Sequence, residues 1–187
     1  DLEIELSFKI NCDSINEHGE TTVSARKIFD LTRSLEDETT LEFSLKDNQL
    51  TVTAKKFNGE FAILPIQDFP VVEIDSFDLE TSLSGKLLAD LIDQTSFAMA
   101  SQDVRYYLNG ILVEIDGSNV NLVATDGHRL AWASETLDKE LNESKLILPR
   151  KSALELQKLL NLYPGEVDLR FSSNQIMISS EEFRFVS

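Results

Sequence analysis

Hydrophobic and polar residues alternate along most of this 187-residue chain, the pattern of β-strands with one buried face. The alternation is unbroken over residues 2–10, and it recurs on both sides of predicted turns at residues 47–48 and 116–117. Residues 41–54 and 111–124 are therefore each predicted to form an antiparallel hairpin. In the first strand we expect one set of side chains to be buried: Leu2, Ile4, Leu6, Phe8 and Ile10.

Three segments have the apolar spacing of helices instead. The first begins near Ser24 and extends to Leu35, the second has Ser84 as its expected N-cap, and the third has Pro149 in its first turn. Residues 65–78 contain two prolines and several acids, which is typical of a connector between domains. The predicted fold class is α+β.

The order of these elements repeats. SARKIFDLTRSL aligns with LPRKSALELQKLL, which places Arg26-Lys27 on Arg150-Lys151, and LKDNQLTVT aligns with FSSNQIMIS at nearly the same offset. The alignment predicts a duplicated module of about 125 residues; chance similarity between amphipathic segments is the alternative. Because the chain holds about one and a half such modules, we expect it to be an internal fragment of a longer repeat protein.

The acidic charge is unevenly distributed. The chain carries 17 basic and 33 acidic residues, a net charge of −16, yet residues 24–35 and 149–160 each carry a local excess of basic residues. For nucleic-acid binding, the positions of the charged residues matter more than the net charge. Cys12 is the only cysteine, which excludes a disulfide framework and makes a reducing cytoplasm the default. With only two histidines and no long apolar run, a histidine-rich metal centre and a membrane span are not expected.

Two short blocks are the most informative part of the chain: SQDVRYYLNG at residues 101–110 and ATDGHRL at residues 124–130. The hairpin between them should bring them together, and tyrosine and arginine are typical of binding surfaces. If this segment is extended, Tyr106 and Tyr107 point to opposite faces, so at most one of them can be a core residue while the other faces out. Trp132, on the next strand, is expected to be a core residue.

The blocks DVRYYLNG and ATDGHRLA, the ARK and PRK helix starts and the segment ILPIQDFP resemble the bacterial sliding clamp family, the beta subunits of DNA polymerase III. This resemblance implies three modules of one fold, each with two helices packed inside antiparallel sheets. Two subunits would close head to tail into a homodimeric ring around duplex DNA. Residues 1–77 would be the later part of the first module plus connector, residues 78–187 most of the second, and the third would be absent.

The resemblance also implies a function. The protein would be a non-catalytic processivity factor of the bacterial cytoplasm, without cofactor or metal. It would bind DNA without sequence preference and would bind replicative polymerase, clamp loader and repair proteins through short linear motifs in a hydrophobic cleft. The matching cleft positions are Arg105, Leu108, Thr125, Gly127, His128, Arg129 and Leu130, with Leu108 and Leu130 expected to be half-exposed walls. The matching DNA-facing positions are Arg26, Lys27, Gln102, Tyr106, Tyr107, Arg150 and Lys151.

Other functions stay open from the sequence alone. The Tyr-Arg rim could belong to an acidic peptide-binding adaptor with no DNA role. Asp126 and His128 could serve a metal-dependent hydrolase, although the sequence lacks a nucleophile motif and clustered carboxylates at a metal-like spacing. Gly127 could simply supply a positive φ at its turn.

Overall fold

Strands outnumber helices in the computed structural model, which describes residues 3–46, 48–73 and 76–187. In chain order the helices and strands are β1 Glu5–Phe8, α1 Ala25–Ser34, β2 Glu42–Lys46, β3 Gln49–Ala54, β4 Phe57–Ala62, β5 Leu79–Ser84, α2 Gly85–Ser96, β6 Gly110–Asp116, β7 Asn119–Thr125, β8 Leu130–Thr136, β9 Ser144–Pro149, α3 Arg150–Leu162, β10 Glu166–Phe171, β11 Ile176–Ser179 and β12 Phe183–Val186. Short 3₁₀ turns lie at Ile66–Asp68 and Tyr106–Leu108.

The chain divides into two units, and the smaller one comprises residues 12–70. Its strands pair antiparallel in the order β2-β3-β4, and α1 packs against them. The buried core of this unit is small, which fits its length. Among the described residues it consists of Leu31, Leu50, Val52 and Phe61.

The larger unit comprises residues 1–11 and 71–187 and contains two antiparallel sheets. One has the order β1-β12-β11-β10-β5, and the other has the order β8-β7-β6-β9. Helices α2 and α3 share one hydrophobic core with both sheets, because the apolar side of each element faces it. None of the helices among the described residues has the length and apolar character needed to cross a bilayer.

The helix predictions are confirmed to within a residue or two, whereas Asp47 of the predicted turn at residues 47–48 lies outside the described residues. Ser84 is the N-cap of α2, and its side chain accepts a hydrogen bond from the Leu87 amide. The β6–β7 loop, however, is Gly117-Ser118 rather than Asp116-Gly117, since Asp116 pairs with Asn119 in the ladder. Gly117 has φ +60°, the conformation that a tight two-residue hairpin loop requires at its first position.

The predicted repeat is visible in the topology of each unit. Helix α1 precedes the consecutive strands β2, β3 and β4, and helix α3 precedes the consecutive strands β10, β11 and β12. Leu50 in β3 and Ile176 in β11 are both buried, at the offset that the sequence alignment gave. Each unit therefore contains a helix followed by a three-stranded meander.

Strand β1 differs from the prediction. Leu6 and Phe8 are about half exposed and Ile10 lies outside the strand, so the expected buried face is wrong over these residues; Leu2 lies outside the described residues. The reason is that β1 is an edge strand, paired with β12. Phe8 still contacts Tyr163 and Phe183, with ring centroids 6.0 and 6.5 Å away.

Trp132 is also placed differently from the prediction. It is 67% exposed, and its Nε1 donates a hydrogen bond to Asn121 Oδ1 at 3.3 Å. Its neighbours Ala131 and Ala133 face the core, so the alternation of strand β8 directs the indole to the other face.

Gly110 is required by the close approach of β6 and β9. A Cβ at this position would lie 2.5 Å from the Leu148 carbonyl oxygen and 2.8 Å from Ile147 Cγ2. We expect Gly110→Ala to lower the free energy of unfolding by about 1–3 kcal/mol through overpacking. Urea denaturation followed by the fluorescence of Trp132, the only tryptophan of the chain and part of the same sheet, would measure the loss.

Gly165→Ala is the matched control, because a Cβ there would meet nothing within 4 Å. It should change the stability by less than about 0.5 kcal/mol. Equal effects of the two substitutions would contradict the proposed close approach.

Candidate functional site

The hairpin brings the two informative sequence blocks to the same end of the larger unit. Residues 101–109 precede β6, and residues 125–129 connect β7 to β8. The contact is direct: a Cβ built on Gly127 would lie 3.3 Å from Arg105 Nη2. The prediction that these blocks adjoin is therefore confirmed.

A carboxylate holds Arg105 in place. Asp103 Oδ1 accepts hydrogen bonds from the Arg105 amide at 2.8 Å and from its Nε at 3.0 Å, and Asp103 Oδ2 accepts from Nη2 at 2.9 Å. These bonds lower the pKa of Asp103 from 3.8 to about 2 and raise the pKa of Arg105. Asn109 closes the loop by exchanging two hydrogen bonds with the Asp103 backbone, at 2.9 and 2.8 Å.

A second carboxylate organises the turn before β8. Asp126 Oδ1 accepts from the amides of His128 and Arg129 at 2.9 and 3.0 Å, and Asp126 Oδ2 accepts from Arg129 Nε at 2.9 Å. The backbone bond from His128 is the largest cause of the lowered pKa of Asp126. Gly127 has φ +87° here, so its backbone role is confirmed. Thr125 adds a hydrogen bond from its Oγ1 to the Arg129 carbonyl at 2.7 Å.

The arrangement presents His128, Arg129 and Leu130 to solvent. Leu130 is 65% exposed because it starts β8 one residue before the inward-facing Ala131. The guanidinium of Arg129 lies over the ring of Phe97, 5.7 Å from its centroid. The sequence analysis missed Phe97, which continues the exposed side of α2 one turn beyond Asp93.

One exposure prediction in the first block is wrong. Leu108 is only 8% exposed, because the 3₁₀ turn folds back and the Leu108 carbonyl accepts a hydrogen bond from the Ala100 amide at 3.0 Å. Tyr106 and Tyr107 are both exposed, at 81% and 51%, so neither is a core residue; they lie in that turn rather than in an extended chain. Their rings make an edge-to-face contact with centroids 5.8 Å apart.

Several of the predicted DNA-facing residues surround an open pocket of about 610 Å³ at the start of α3. The Arg150 amide donates to the Asn109 carbonyl at 2.9 Å, and Arg150 Nη1 donates to the Met99 carbonyl at 3.3 Å, which joins the helix to the first block. Arg26 and Lys27 lie on α1 of the smaller unit and are exposed there. The lining of the pocket is Ser101, Gln102, Asn109, Arg150, Lys151, Leu154, Glu155, Gln157 and Lys158.

Lys158 lies in the basic segment at residues 149–160 but was not among the predicted DNA-facing residues. It lies seven residues after Lys151 on the same face of α3, so the helical period alone could have identified it. Its Nζ lies 2.9 Å from Glu155 Oε1.

The geometry of Asp126 and His128 bears on the hydrolase alternative. The two Asp126 oxygens are engaged by two backbone amides and one guanidinium, so this carboxylate is committed to the turn. Among the described residues there is no group of three or more His, Cys, Asp or Glu side chains that could hold a metal ion.

Comparison with known proteins gives matches over nearly the whole chain. The family model described as DNA polymerase III beta subunit, N-terminal domain, matches residues 1–73, and the model of the central domain of the same subunit matches residues 82–187. The beta sliding clamp of Pseudomonas aeruginosa is 42% identical over 190 residues, and that of Escherichia coli is 36% identical over 187 residues. Each alignment covers all of this chain and 51% of the relative, so the chain spans about half the length of the curated relatives it matches.

Solved structures agree with the sequence matches. The crystal structure of the DNA polymerase sliding clamp from Pseudomonas aeruginosa with ligand has a TM-score of 0.96 to this chain at 41% identity. The sliding clamp from the same organism bound to griselimycin has a TM-score of 0.95, also at 41% identity. Both comparisons cover 100% of this chain and 51% of the solved one.

The two carboxylates predict a pH dependence. Because the folded-state pKa of Asp103 is depressed, its stabilising effect on the loop is present at neutral pH and is lost as the pH falls from 3.8 through about 2. An NMR titration of the carboxyl carbons should find Asp103 titrating near pH 2. Arg105→Gln should raise that pKa, since Arg105 is its main partner.

Arg129→Gln is the informative control. It should raise the pKa of Asp126 less, because the backbone hydrogen bonds from residues 128 and 129 persist in that variant. An Asp103 that titrates near 3.8 in the unmodified protein would show that the Arg105 pair does not form in solution.

Proposed function

This chain belongs to the family of DNA polymerase III beta subunits, and we propose that the protein acts as a sliding clamp, a processivity factor that encircles duplex DNA. It would form a homodimeric ring in the bacterial cytoplasm and would tether the replicative polymerase, the clamp loader and repair proteins. It would perform no catalysis and need no cofactor. Similarity to known proteins assigns the family, and the local chemistry of the larger unit supports the DNA-binding and partner-binding parts of the proposal.

The observation that carries the DNA role is the basic pocket at the start of α3. Gln102, Arg150 and Lys151 come together there in a chain whose net charge is −16. A DNA-binding surface needs local positive charge, whereas acidic charge elsewhere discourages DNA from binding to other faces. The proposed ring would then attract DNA chiefly on the side where α2 and α3 are exposed.

A ring does not need tight contacts to stay on DNA, because its closure holds the duplex topologically. Contacts to phosphates carry no sequence information, so they suit a protein that must move along any sequence. The exposed polar and basic side chains of the pocket fit such contacts. Base readout would instead need an element that enters a groove.

The partner site is proposed around the turn at residues 125–130. Exposed Leu130 and His128 lie beside two guanidiniums, of Arg105 and Arg129, each fixed by its own aspartate. Leucine gives an apolar contact and the arginines give directional hydrogen bonds, which together suit a short linear motif. Leu108, being buried, would support this surface from beneath rather than form its wall. We infer that a segment beyond this chain completes the cleft.

The adaptor alternative differs from the clamp in one observable. A clamp is retained on circular DNA and slides off linear DNA, whereas an adaptor is retained on neither. Membership of the beta subunit family and the basic pocket both favour the clamp.

DNA retention tests the first part of the proposal. Lys151→Glu in the full-length protein should weaken DNA binding for all sequences alike and lower the slope of log affinity against log salt by about 1, since a phosphate contact is lost. Peptide binding should stay unchanged. Lys151 is chosen because it lines the pocket in the first turn of α3, whereas the Arg150 side chain bonds to the Met99 carbonyl and joins the helix to the first block.

Lys139→Glu makes the same charge change at an exposed position between β8 and β9 and serves as the control. If both variants lose DNA binding equally, net charge rather than this pocket is responsible, and the DNA-facing assignment fails.

Peptide binding tests the second part. Leu130→Asp and His128→Glu should each weaken the binding of a labelled peptide from the C-terminus of a replicative polymerase by about 1–2 kcal/mol, roughly 5- to 30-fold in Kd. Fluorescence anisotropy with the full-length protein would measure it. Leu162→Asp is the control, because this leucine is also exposed but lies at the other end of α3. Unchanged affinity in the first two variants would place the cleft elsewhere.

A further inference from the structure

Helices α1, α2 and α3 have the same order of basic and acidic residues along the chain, and the proposed DNA role does not by itself require this order. In the described chain, α1, α2 and α3 have no acidic residue in the first turn. Each instead carries a base there and an acid four residues after it. The pairs are Arg26 and Asp30 in α1, Lys86 and Asp90 in α2, and Lys151 and Glu155 in α3.

Helix stability does not account for this order. A helix N-terminus favours acids over bases, and a pair four residues apart is more stabilising with the acid first. Lys86 and Asp90 nevertheless form an ion pair in the less favourable order, and Arg26 Nε lies 3.9 Å from Asp30 Oδ2 in the same order. In α3, Glu155 is paired with the later Lys158, and base-first ion pairs are found in α1 and α2, one in each unit. These two pairs point to a role in what the helices face.

In the larger unit the exposed sides of α2 and α3 form one continuous polar face. Gln157 Nε2 donates to Asp93 Oδ1 at 2.8 Å and links the two helices across this face. Glu155 is paired with Lys158, with their charged atoms 2.9 Å apart. By sequence the two helices carry four basic and three acidic side chains, so the face is close to neutral rather than strongly positive.

We propose that Asp90 and Glu155 act as built-in counterions, which compete with DNA phosphates for the lysines of this face and keep the clamp's attraction to DNA weak. The inference rests on the proposed function, since it assumes that this face is turned toward DNA. Glu155 competes for Lys158, and Asp90 competes for Lys86. Both are positioning residues that act through the lysines.

The physical argument is that of counterion release. A lysine that neutralises a phosphate releases condensed cations from DNA, and each such contact adds about 0.9 to the salt slope. A lysine already paired with a carboxylate must give up that partner before it binds phosphate, so its net gain is smaller. Weak individual contacts allow the ring to move from phosphate to phosphate with a low barrier, while closure of the ring prevents loss.

Glu155→Gln in the full-length protein tests this with little change in side-chain volume. The salt slope of DNA binding should steepen by up to about 0.9, which is roughly threefold more affinity lost over a fourfold rise in salt. Single-molecule tracking on DNA should show slower diffusion. Asp90→Asn should act in the same direction through Lys86.

Two control variants distinguish the effect of the ion pair from the effect of a change in net charge. Glu135→Gln removes one acidic charge at an exposed position of strand β8 rather than on α2 or α3, and should leave the slope and the diffusion constant unchanged. In a Lys158→Gln background, Glu155→Gln should have a clearly smaller effect than in the unmodified protein. Equal effects in the two backgrounds, or a Glu155→Gln variant that behaves like Glu135→Gln, would overturn the inference.

The test also distinguishes failure of the inference from failure of the proposed function. If the unmodified protein shows salt-dependent retention on circular DNA and the acid variants match it, the clamp stands and the counterion role falls. If the unmodified protein shows no retention on circular DNA at any salt, the proposed function falls, and this inference falls with it.

Discussion

The antiparallel register of β6 and β7 determines the site more than any other interaction. With Asp116 opposite Asn119, the alternate residues of both strands face the core. The other ends of the two strands adjoin the loops at residues 101–109 and 126–129. A shift of one residue would turn every apolar side chain of a strand to the wrong face. Strand β9 extends the same ladder through Gly110, and α3 starts at the next residue after it. The turn at residues 125–130 and the basic pocket at the start of α3 therefore derive their positions from one sheet.

Two carboxylates, those of Asp103 and Asp126, hold exposed arginine side chains in place. Asp103 and Asp126 each accept from backbone amides as well as from one guanidinium, so each fixes a loop and an arginine together. An arginine held by a paired carboxylate loses less side-chain entropy when a partner binds. The same bonds direct both Asp126 oxygens to backbone amides and to Arg129, so this carboxylate orients the turn and its arginine.

The sequence predicted the elements better than their exposure, and the reason is physical. Periodicity identifies a strand and its two faces, but not which neighbours cover each face. Trp132 lies on the outer face because its alanine neighbours fill the inner one, and Leu108 is buried because a 3₁₀ turn replaced the expected extended segment. The exposure of Phe8 depends on the position of β1 in its sheet, which the local sequence does not specify. The adjacency of residues 101–110 and 124–130 was predictable, since a short hairpin leaves little freedom. The roles of Asp103 and Asp126 were not, because they depend on individual hydrogen bonds that no sequence pattern specifies.

The net charge of −16 is compatible with the proposed DNA binding when attraction to DNA is distinguished from retention on DNA. A protein that relied on electrostatics to remain on DNA would need a strongly positive face, and each added contact would also slow its movement. Where topology supplies retention, the face needs only enough positive charge to favour DNA over the acidic remainder of the chain. Four basic and three acidic residues on α2 and α3, within a chain of net charge −16, meet that condition. In the proposed clamp, the acids one turn after the helix starts would set the strength of the attraction, and the rest of the surface would set its direction.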